Sequence, residues 1–559
     1  MSILSRRDVL RAGGLAAVVG ASASQTGIAA ASPLPRVPPT KPASRTFRHG
    51  VASGDPLPDG VLLWTRVTTD DDALPGSGAG PDVSVRWEMA TTPSFQRVIA
   101  GGTVATGAWR DHTVKAEARG LAAATTYFYR FRAGGSTSAT GRTRTAPAVG
   151  IQVDRLRMGV VSCANLQAGW FSSYRHLAAR DDLDLVLHLG DYLYEYAPGE
   201  YQARDVVVRP HDPASEITTL EHYRRRHAQY KTDPDLQALH AAAPWVVTWD
   251  DHESANDAWS GGAENHTEGV EGSWAGRRGF SQQAYAEWMP VRYEAGGRLY
   301  RRLAIGSLAS ISVLDLRSYR SQQAASLVDP AIADPTRTIT GPEQMDFLLD
   351  GLADTGAQWK LIGNPVMIAP VRFPSGLSTA AAEGVRSLTG PVSAGPAEGG
   401  APYNVDQWDG YTADRQQVLD HLRDRAIQDS VFLTGDIHSA WACDLPADPG
   451  TYAVTGDSVA TELVCTSVTS DNLDDILNVP PRTASQAVET AFKGANPHIK
   501  HLDFDSHGYS VLEVTPDAVR MDWYALSDRT DPQATSALST SWRVAAGTQK
   551  VVPATGGPL

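Results

Sequence analysis

Asp191 and Tyr194 stand three residues apart, just past the apolar run 186–189 that stops at Gly190. A carboxylate and a phenol at this spacing can give one cation two oxygen ligands from a single turn. Three other stretches repeat the pattern of an apolar run ending in polar chemistry. Residues 160–165 end in the thiol of Cys163 and the amide of Asn165. Residues 248–256 carry Asp250, Asp251, His252, Glu253 and Asn256. Residues 433–439 carry Asp436 and His438, which alternate onto one side of an extended segment. Each piece alone has a local explanation, since an Asp after a strand can cap a helix and a lone His can make a core hydrogen bond. Together they do not, because caps need no Cys, Tyr or His.

Elements that position these residues are legible in the apolar spacing. Residues 156–163 read as a buried strand, 171–180 as a helix and 184–189 as the next strand, one βαβ unit. Further strands are expected at 245–251, 310–316, 359–363, 430–435, 463–468 and 509–514, with helices at 220–230, 343–352 and 413–426. Open α/β sheets place ligands at the carboxyl ends of their strands, where the polar residues fall. Residues 47–147 differ. Short alternating strands at 83–89, 114–118 and 126–132, separated by turn residues, read as a small β-sandwich. It is either a surface-binding module or a packing domain for its neighbour. The Gly-, Pro-, Ser- and Ala-rich stretch 373–409 reads as an irregular lid. The expected domains are therefore 47–147 and 151–545.

At 559 residues the chain exceeds one ordinary core. Its formal net charge of −14 argues against a nucleic-acid surface and is compatible with cation binding. Three cysteines make no disulfide framework. Cys443 and Cys465 either close a loop or stay as separate buried thiols, and Cys163 is left over. Residues 5–11, Ser-Arg-Arg-Asp-Val-Leu-Arg, precede a mildly apolar run at 12–23 and then Ala29-Ala30-Ala31. This is the layout of a twin-arginine export signal over 1–31, with Val9 where Phe is commoner. A Pro- and Ala-rich linker, 32–46, follows it. The apolar run is too short to span a bilayer, and no other segment looks transmembrane. A monomer handled by the twin-arginine machinery, then secreted or cell-wall associated, is expected.

The order Gly190-Asp191-x-x-Tyr194, Trp249-Asp-Asp-His-Glu253, Gly435-Asp-Ile-His438 resembles the calcineurin-like, purple acid phosphatase-type metallophosphoesterases. More closely it resembles the PhoD-like alkaline phosphatases and phosphodiesterases. The likeness includes the export signal, His49-Gly-Val-Ala-Ser-Gly-Asp55 and Ser162-Cys163. It implies an α/β (α+β) sandwich of mixed sheets flanked by helices, behind a fibronectin type III-like β-sandwich. It also implies Fe3+ held with a thiolate and a tyrosinate, and Ca2+ beside it. Carried over by position, Cys163 is the thiolate, Asp191 the bridging carboxylate and Tyr194 the phenolate. Asp251 stands where the wider superfamily has an Asn ligand of the second metal. His252 stands where it has a His that contacts phosphate or protonates the leaving group. Asp436 and His438 match the last ligand pair, with Asp436 replacing a His. Oxygen ligands at the second site favour calcium over zinc. The superfamily's middle His has no clear counterpart, and Asn256, Asn165 and Asn364 are candidate substitutes.

Phosphate-ester hydrolysis needs a nucleophile at neutral pH and compensation for charge on the phosphoryl oxygens, and a close metal pair supplies both. His252 suits protonation of the leaving alkoxide. Arg317, with Arg320 behind it, would hold a phosphate oxygen bidentately or else make an internal salt bridge. The expected activity is hydrolysis of phosphate mono- or diesters. One alternative is a phospholipase D-like phosphodiesterase of the same family, with Trp259, Trp274 and Trp408 meeting phospholipid. Another, of a different class, is a non-catalytic surface-binding protein.

Overall fold

The computed structural model describes residues 45–201, 206–389 and 400–559. The expected export signal and nearly all of the linker lie outside them. Two mixed sheets stack face to face. The larger has ten strands, in the spatial order Val551–Pro553, Ser536–Ala545, Ala518–Leu526, Gly508–Val514, Leu156–Val161, Leu185–His188, Trp245–Val247, Val51–Leu57, Gly60–Arg66, Thr113–Arg119. Leu156–Val161, Leu185–His188, Trp245–Val247 and Val51–Leu57 are parallel. The smaller has seven, in the order Arg301–Ile305, Ala309–Val313, Trp359–Asn364, Ser430–Thr434, Ala460–Val464, Ala440–Leu445, Ile499–Asp503. Its parallel part runs from Ala309–Val313 to Ala460–Val464.

Leu185–His188 and Ser430–Thr434 are buried at every position, as parallel strands covered on both faces must be. Met158, Val160, Leu187 and Leu189 of one sheet meet Ile311, Val313, Leu361, Leu433 and Leu463 of the other in one apolar cluster. Helices cover the outer faces. Tyr174, Leu177, Tyr223, Leu236 and Tyr285 pack on the larger sheet, and Leu348, Leu352, Val418, Leu422 and Phe492 on the smaller. The result is four layers, helix–sheet–sheet–helix.

The amino-terminal part is less separate than its sequence implies. Val83–Ala90, Val98–Thr106, Thr126–Ala133, Ser136–Thr137 and Gly141–Arg144 form an antiparallel sheet. It faces Val51–Leu57, Gly60–Arg66 and Thr113–Arg119 across a core that includes Val61, Leu63, Val85, Met89 and Phe131. Those three strands also belong to the ten-stranded sheet, joined through the pair Gly54↔Trp245. Lys115 Nζ donates to the Val291 carbonyl at 2.8 Å, and Arg301 pairs with Asp55 at 2.6 Å. These contacts fasten the amino-terminal strands to the rest of the chain.

One expectation needs correction, and one alternative left open is decided. The stretch 373–409 is not irregular throughout. Thr379–Leu388 is a helix, favoured by Ala380-Ala381-Ala382 and capped where Ser378 accepts from Ala381 N. Cys443 and Cys465 do not pair, and all three cysteines are free and buried. Among the described residues no helix is long and apolar enough to cross a membrane.

Gly54 makes the junction of the two parts. A Cβ there would lie 1.7 Å from the Pro290 carbonyl oxygen and 2.9 Å from that of Trp245. Gly279, exposed within the helix Trp274–Trp288, would meet nothing within 4 Å. Gly54→Ala is expected to destabilise the protein by about 3 kcal/mol, whereas Gly279→Ala is expected to stabilise it by about 0.5–1 kcal/mol. Denaturant midpoints of the two variants check this, and equal midpoints would contradict the junction described.

Candidate metal centre

The carboxyl ends of the parallel strands in both sheets converge on one edge. The chain turns sharply there. Cys163, Asp191, Asp436 and His438 have φ values of 59°, 54°, 65° and 52°, in the left-handed region. Residues with a Cβ seldom adopt it, and such conformations collect at functional sites. Gly190, at φ +105°, lets its loop lie against Asp250, whose Cβ would be 2.5 Å from an added Cβ.

Cys163, Asp191 and His438 place their ligand atoms within 4.8 Å of one another. Tyr194 joins them, donating from Oη to Asp191 Oδ2 at 3.0 Å and lying 3.2 Å from His438 Nε2. All four are buried. His438 Nδ1 lies 2.8 Å from the Asp471 carbonyl, so Nδ1 carries the proton and Nε2 turns a lone pair to the group. Asp191 Oδ1 is buried without a hydrogen-bond partner. Burial raises the pKa of the Cys163 thiol and of the Tyr194 phenol, and the Asp191 charge raises both further. Burial also raises Asp191, outweighing the pull of His252.

Asp251 belongs to three further groups of the same tightness, with Asp191 and His252, with Asp250 and Asp436, and with Asp257 and Asp406. Burial opposes its charge. Even so, Arg317, His252 and the Asp257 N–H hold it well below the usual carboxylate range. Burial lifts Asp250, Asp257 and Asp436 instead. His252 Nδ1 is 2.8 Å from Glu195 Oε2. Burial alone would lower its pKa, but Asp251, Glu195 and Asp191 together raise it to about 10. Glu253 ties two strand ends together, accepting from the N–H groups of Asp191, Tyr192 and Asp250 at 3.1, 2.6 and 2.9 Å. A cleft opens above, lined by Tyr201, Asp251, His252, Asp257, Asn404 and Asp436 among others.

Seven sequence candidates thus come together: Cys163, Asp191, Tyr194, Asp251, His252, Asp436 and His438. Arg317 is placed otherwise than as a phosphate clamp. Its guanidinium is taken up bidentately by Asp250, at 2.5 and 2.9 Å, and by Asp406 at 2.7 Å. It is also 3.6 Å from Asp251 and from Asp436, so the internal salt bridge is what the fold uses. Arg320 likewise donates to Asp406 at 2.6 Å. Asn364 donates to the Val366 carbonyl and accepts from Trp408 Nε1, and Asn165 caps the turn at Gln167. Asn256 Nδ2 faces Glu264 at 3.2 Å, and its N–H donates to Glu195. The sequence reading missed Glu195, Asp257 and Asp406, and named Asp250 and Glu253 without a role. Asp250 and Asp257 flank recognised residues, but Asp406 lay in the presumed lid and carried no signal.

The donor set fits cations. A thiol, a phenol, an imidazole lone pair and a carboxylate oxygen without a partner face one another, and beside them carboxylates outnumber the two guanidiniums and one imidazole. The chain matches the PhoD-like phosphatase family over residues 158–523 and the N-terminal domain of PhoD-like phosphatases over 30–147. It belongs to the PhoD-like phosphatase family. Alkaline phosphatase D of Bacillus subtilis (strain 168) is 36% identical over 510 residues, 89% of this chain and 80% of that protein. A solved structure of PhoD superposes with a TM-score of 0.81 at 34% identity, covering 92% of this chain and 93% of that one.

Asp436 is supported from the second sheet. Gln407 Nε2 donates to it at 2.6 Å, and the next residue, Trp408, bonds through its N–H to the Met367 carbonyl. The following N–H groups, of Ile368 and Ala369, bond to Glu462 at 3.0 and 2.8 Å. Burial raises Glu462 from 4.5 to about 7, against the bonds from Thr434, Ile368 and Ala369. Between those values the folded protein holds a proton that the unfolded chain has lost. The contribution of Glu462 to stability therefore falls as pH rises through that window and is constant above it. The stability of Glu462→Gln relative to wild type is expected to rise by about 3 kcal/mol from about pH 5 to about pH 8. Thermal melts across the range check it, and a difference independent of pH would contradict the assignment.

Proposed function

We propose that this PhoD-like phosphatase hydrolyses phosphate esters with Fe3+ at Cys163, Asp191, Tyr194 and His438, and Ca2+ among the carboxylates around Asp251. The observation that supports it most is the meeting of unlike donors. A thiol and a phenol suit iron, whereas Asp251, Asp257, Asp406 and Asp436 offer hard oxygens alone. Asp191 belongs to both kinds of group and would serve both cations. Asn256 stays a candidate amide ligand on the calcium side. Bound there, the cations supply charge to the phosphoryl oxygens and lower the pKa of an attacking water.

The chain's own residues do the rest. Glu195 holds His252 by Nδ1, so Nε2 is the ring atom left to protonate the leaving oxygen. Asn256 N–H and Asn265 Nδ2 donate to Glu195 at 2.8 and 2.9 Å and fix that carboxylate in turn. Arg317 and Arg320 offset carboxylate charge and keep Asp250 and Asp406 in place. The proposal includes export by the twin-arginine route, on residues 5–31, and action as a monomer outside the cytoplasm. Mono- and diesters are the substrates favoured. Trp274 and Trp408, two of the tryptophans set aside for phospholipid, are only 5% and 0% exposed and pack inside.

Hydrolysis of a monoester, a diester and a phospholipid is to be measured side by side. Turnover of at least one water-soluble ester is expected, abolished by a calcium chelator and restored by calcium. Full activity in excess chelator would contradict the calcium assignment. His252→Ala is expected to lower kcat about 10²–10⁴-fold for alkyl esters and much less for a nitrophenyl ester, whose leaving group needs no proton. Equal losses on both would contradict the proton-donor role.

A further inference from the structure

Ser470 lies in the loop that follows the strand Ala460–Val464, and it belongs to none of the ligand groups. Its hydroxyl donates to Tyr194 Oη at 2.6 Å, shorter than the distances of Tyr194 to Asp191 and His438. Ser470 is 0% exposed, so water does not compete for that bond. The hydroxyl has one proton and a second acceptor, the Cys163 carbonyl at 2.9 Å. That carbonyl already receives the N–H groups of Thr469 and Ser470, each at 3.3 Å. The proton is therefore available to Tyr194.

The loop holding Ser470 is fastened on several sides. Val468 N–H bonds to the Ser162 carbonyl at 3.1 Å, and Thr469 Oγ1 donates to the Asn165 carbonyl at 2.7 Å. Arg529 donates to the Thr469 carbonyl and pairs with Asp471. The Asp471 carbonyl orients His438. From two adjacent residues, then, the loop fixes one candidate ligand by a carbonyl and another by a hydroxyl.

We infer that Ser470 is a positioning residue, whose hydroxyl hydrogen-bonds the Tyr194 oxygen and sets its donor strength toward iron. The inference rests on the iron reading given above. A hydrogen bond to a phenolate lowers the energy of its filled orbitals, so its removal makes the ligand a stronger donor. It must then shift phenolate-to-iron absorption to longer wavelength, which a purely structural role does not require.

The test compares wild type, Tyr194→Phe and Ser470→Ala by iron content, thermal melt and visible absorption. Wild type is expected to show a visible band that Tyr194→Phe loses. Ser470→Ala is expected to keep iron and fold, with the band moved to longer wavelength. A band lost in Tyr194→Phe but unmoved in Ser470→Ala overturns this inference alone. A wild type without the band, or a Tyr194→Phe protein that keeps it, overturns the iron–tyrosinate reading and this inference with it. If Ser470→Ala does not fold, resonance Raman of wild type decides. A phenolate C–O vibration that shifts after full exchange into D2O supports the hydrogen bond, and an unshifted one overturns it.

Discussion

The negative charge gathered around Asp251 is the constraint that the rest of the site answers. Its carboxylate lies within 4.8 Å of acidic partners in three separate groups. At such distances, with an effective dielectric near 20, each like-charge pair opposes folding by about 3–4 kcal/mol. The chain supplies three kinds of compensation. Arg317 and Arg320 lie among the acids, His252 is held as a cation between Asp251, Glu195 and Asp191, and backbone N–H groups solvate Glu253. What these leave uncovered, bound cations or protons must neutralise. The charge left over is of the sign and density that suits multivalent cations.

The fold gathers these acids from the loops after Leu185–His188, Trp245–Val247 and Ser430–Thr434, with Asp406 added from the stretch before Trp408–Gly410. Asp191, Asp251 and Asp436 follow closely on buried strands, and hydrogen bonds from Tyr194, the Asp257 N–H and Gln407 restrain them. Glu253 binds the Asp191 and Asp250 turns into one unit, while Gln407 holds Asp436 from beyond the second sheet. The strained turns at Cys163, Asp191, Asp436 and His438 belong to the same bargain. Left-handed backbone is tolerated where surrounding bonds over-determine it and where the side chain must face a particular way. The amino-terminal strands contribute stiffness, since their sheet is continuous with the one that ends in Cys163 and Asp191.

Much of this was legible in the chain. Apolar runs ending in Asp-x-x-Tyr, Asp-His and Asp-x-His locate strand ends by pattern and ligands by type. Cys163 stood out as the odd cysteine of a chain expected to be exported, although all three thiols are free. What stayed hidden depends on long-range placement. Asp406 comes from a stretch with no period, and Ser470 from a run of Thr, Ser and Asp that looks like any loop. Arg317 shows the limit of residue chemistry, because a guanidinium fork fits a carboxylate as well as a phosphate. The positions of Asp250 and Asp406 decide between them. The continuity of the large sheet through Gly54 was equally silent, as one glycine pairing across strands leaves no mark on spacing.

Diffraction from crystals of the protein, at energies just above and just below the iron absorption edge, tests the central claim most directly. The account predicts one anomalous peak present only above the edge, bonded to Cys163 Sγ, Tyr194 Oη, Asp191 and His438 Nε2. Non-iron cation density should lie among the carboxylates of Asp251 and Asp436. An iron signal absent from that position, with Cys163 and Tyr194 uncoordinated, would contradict it.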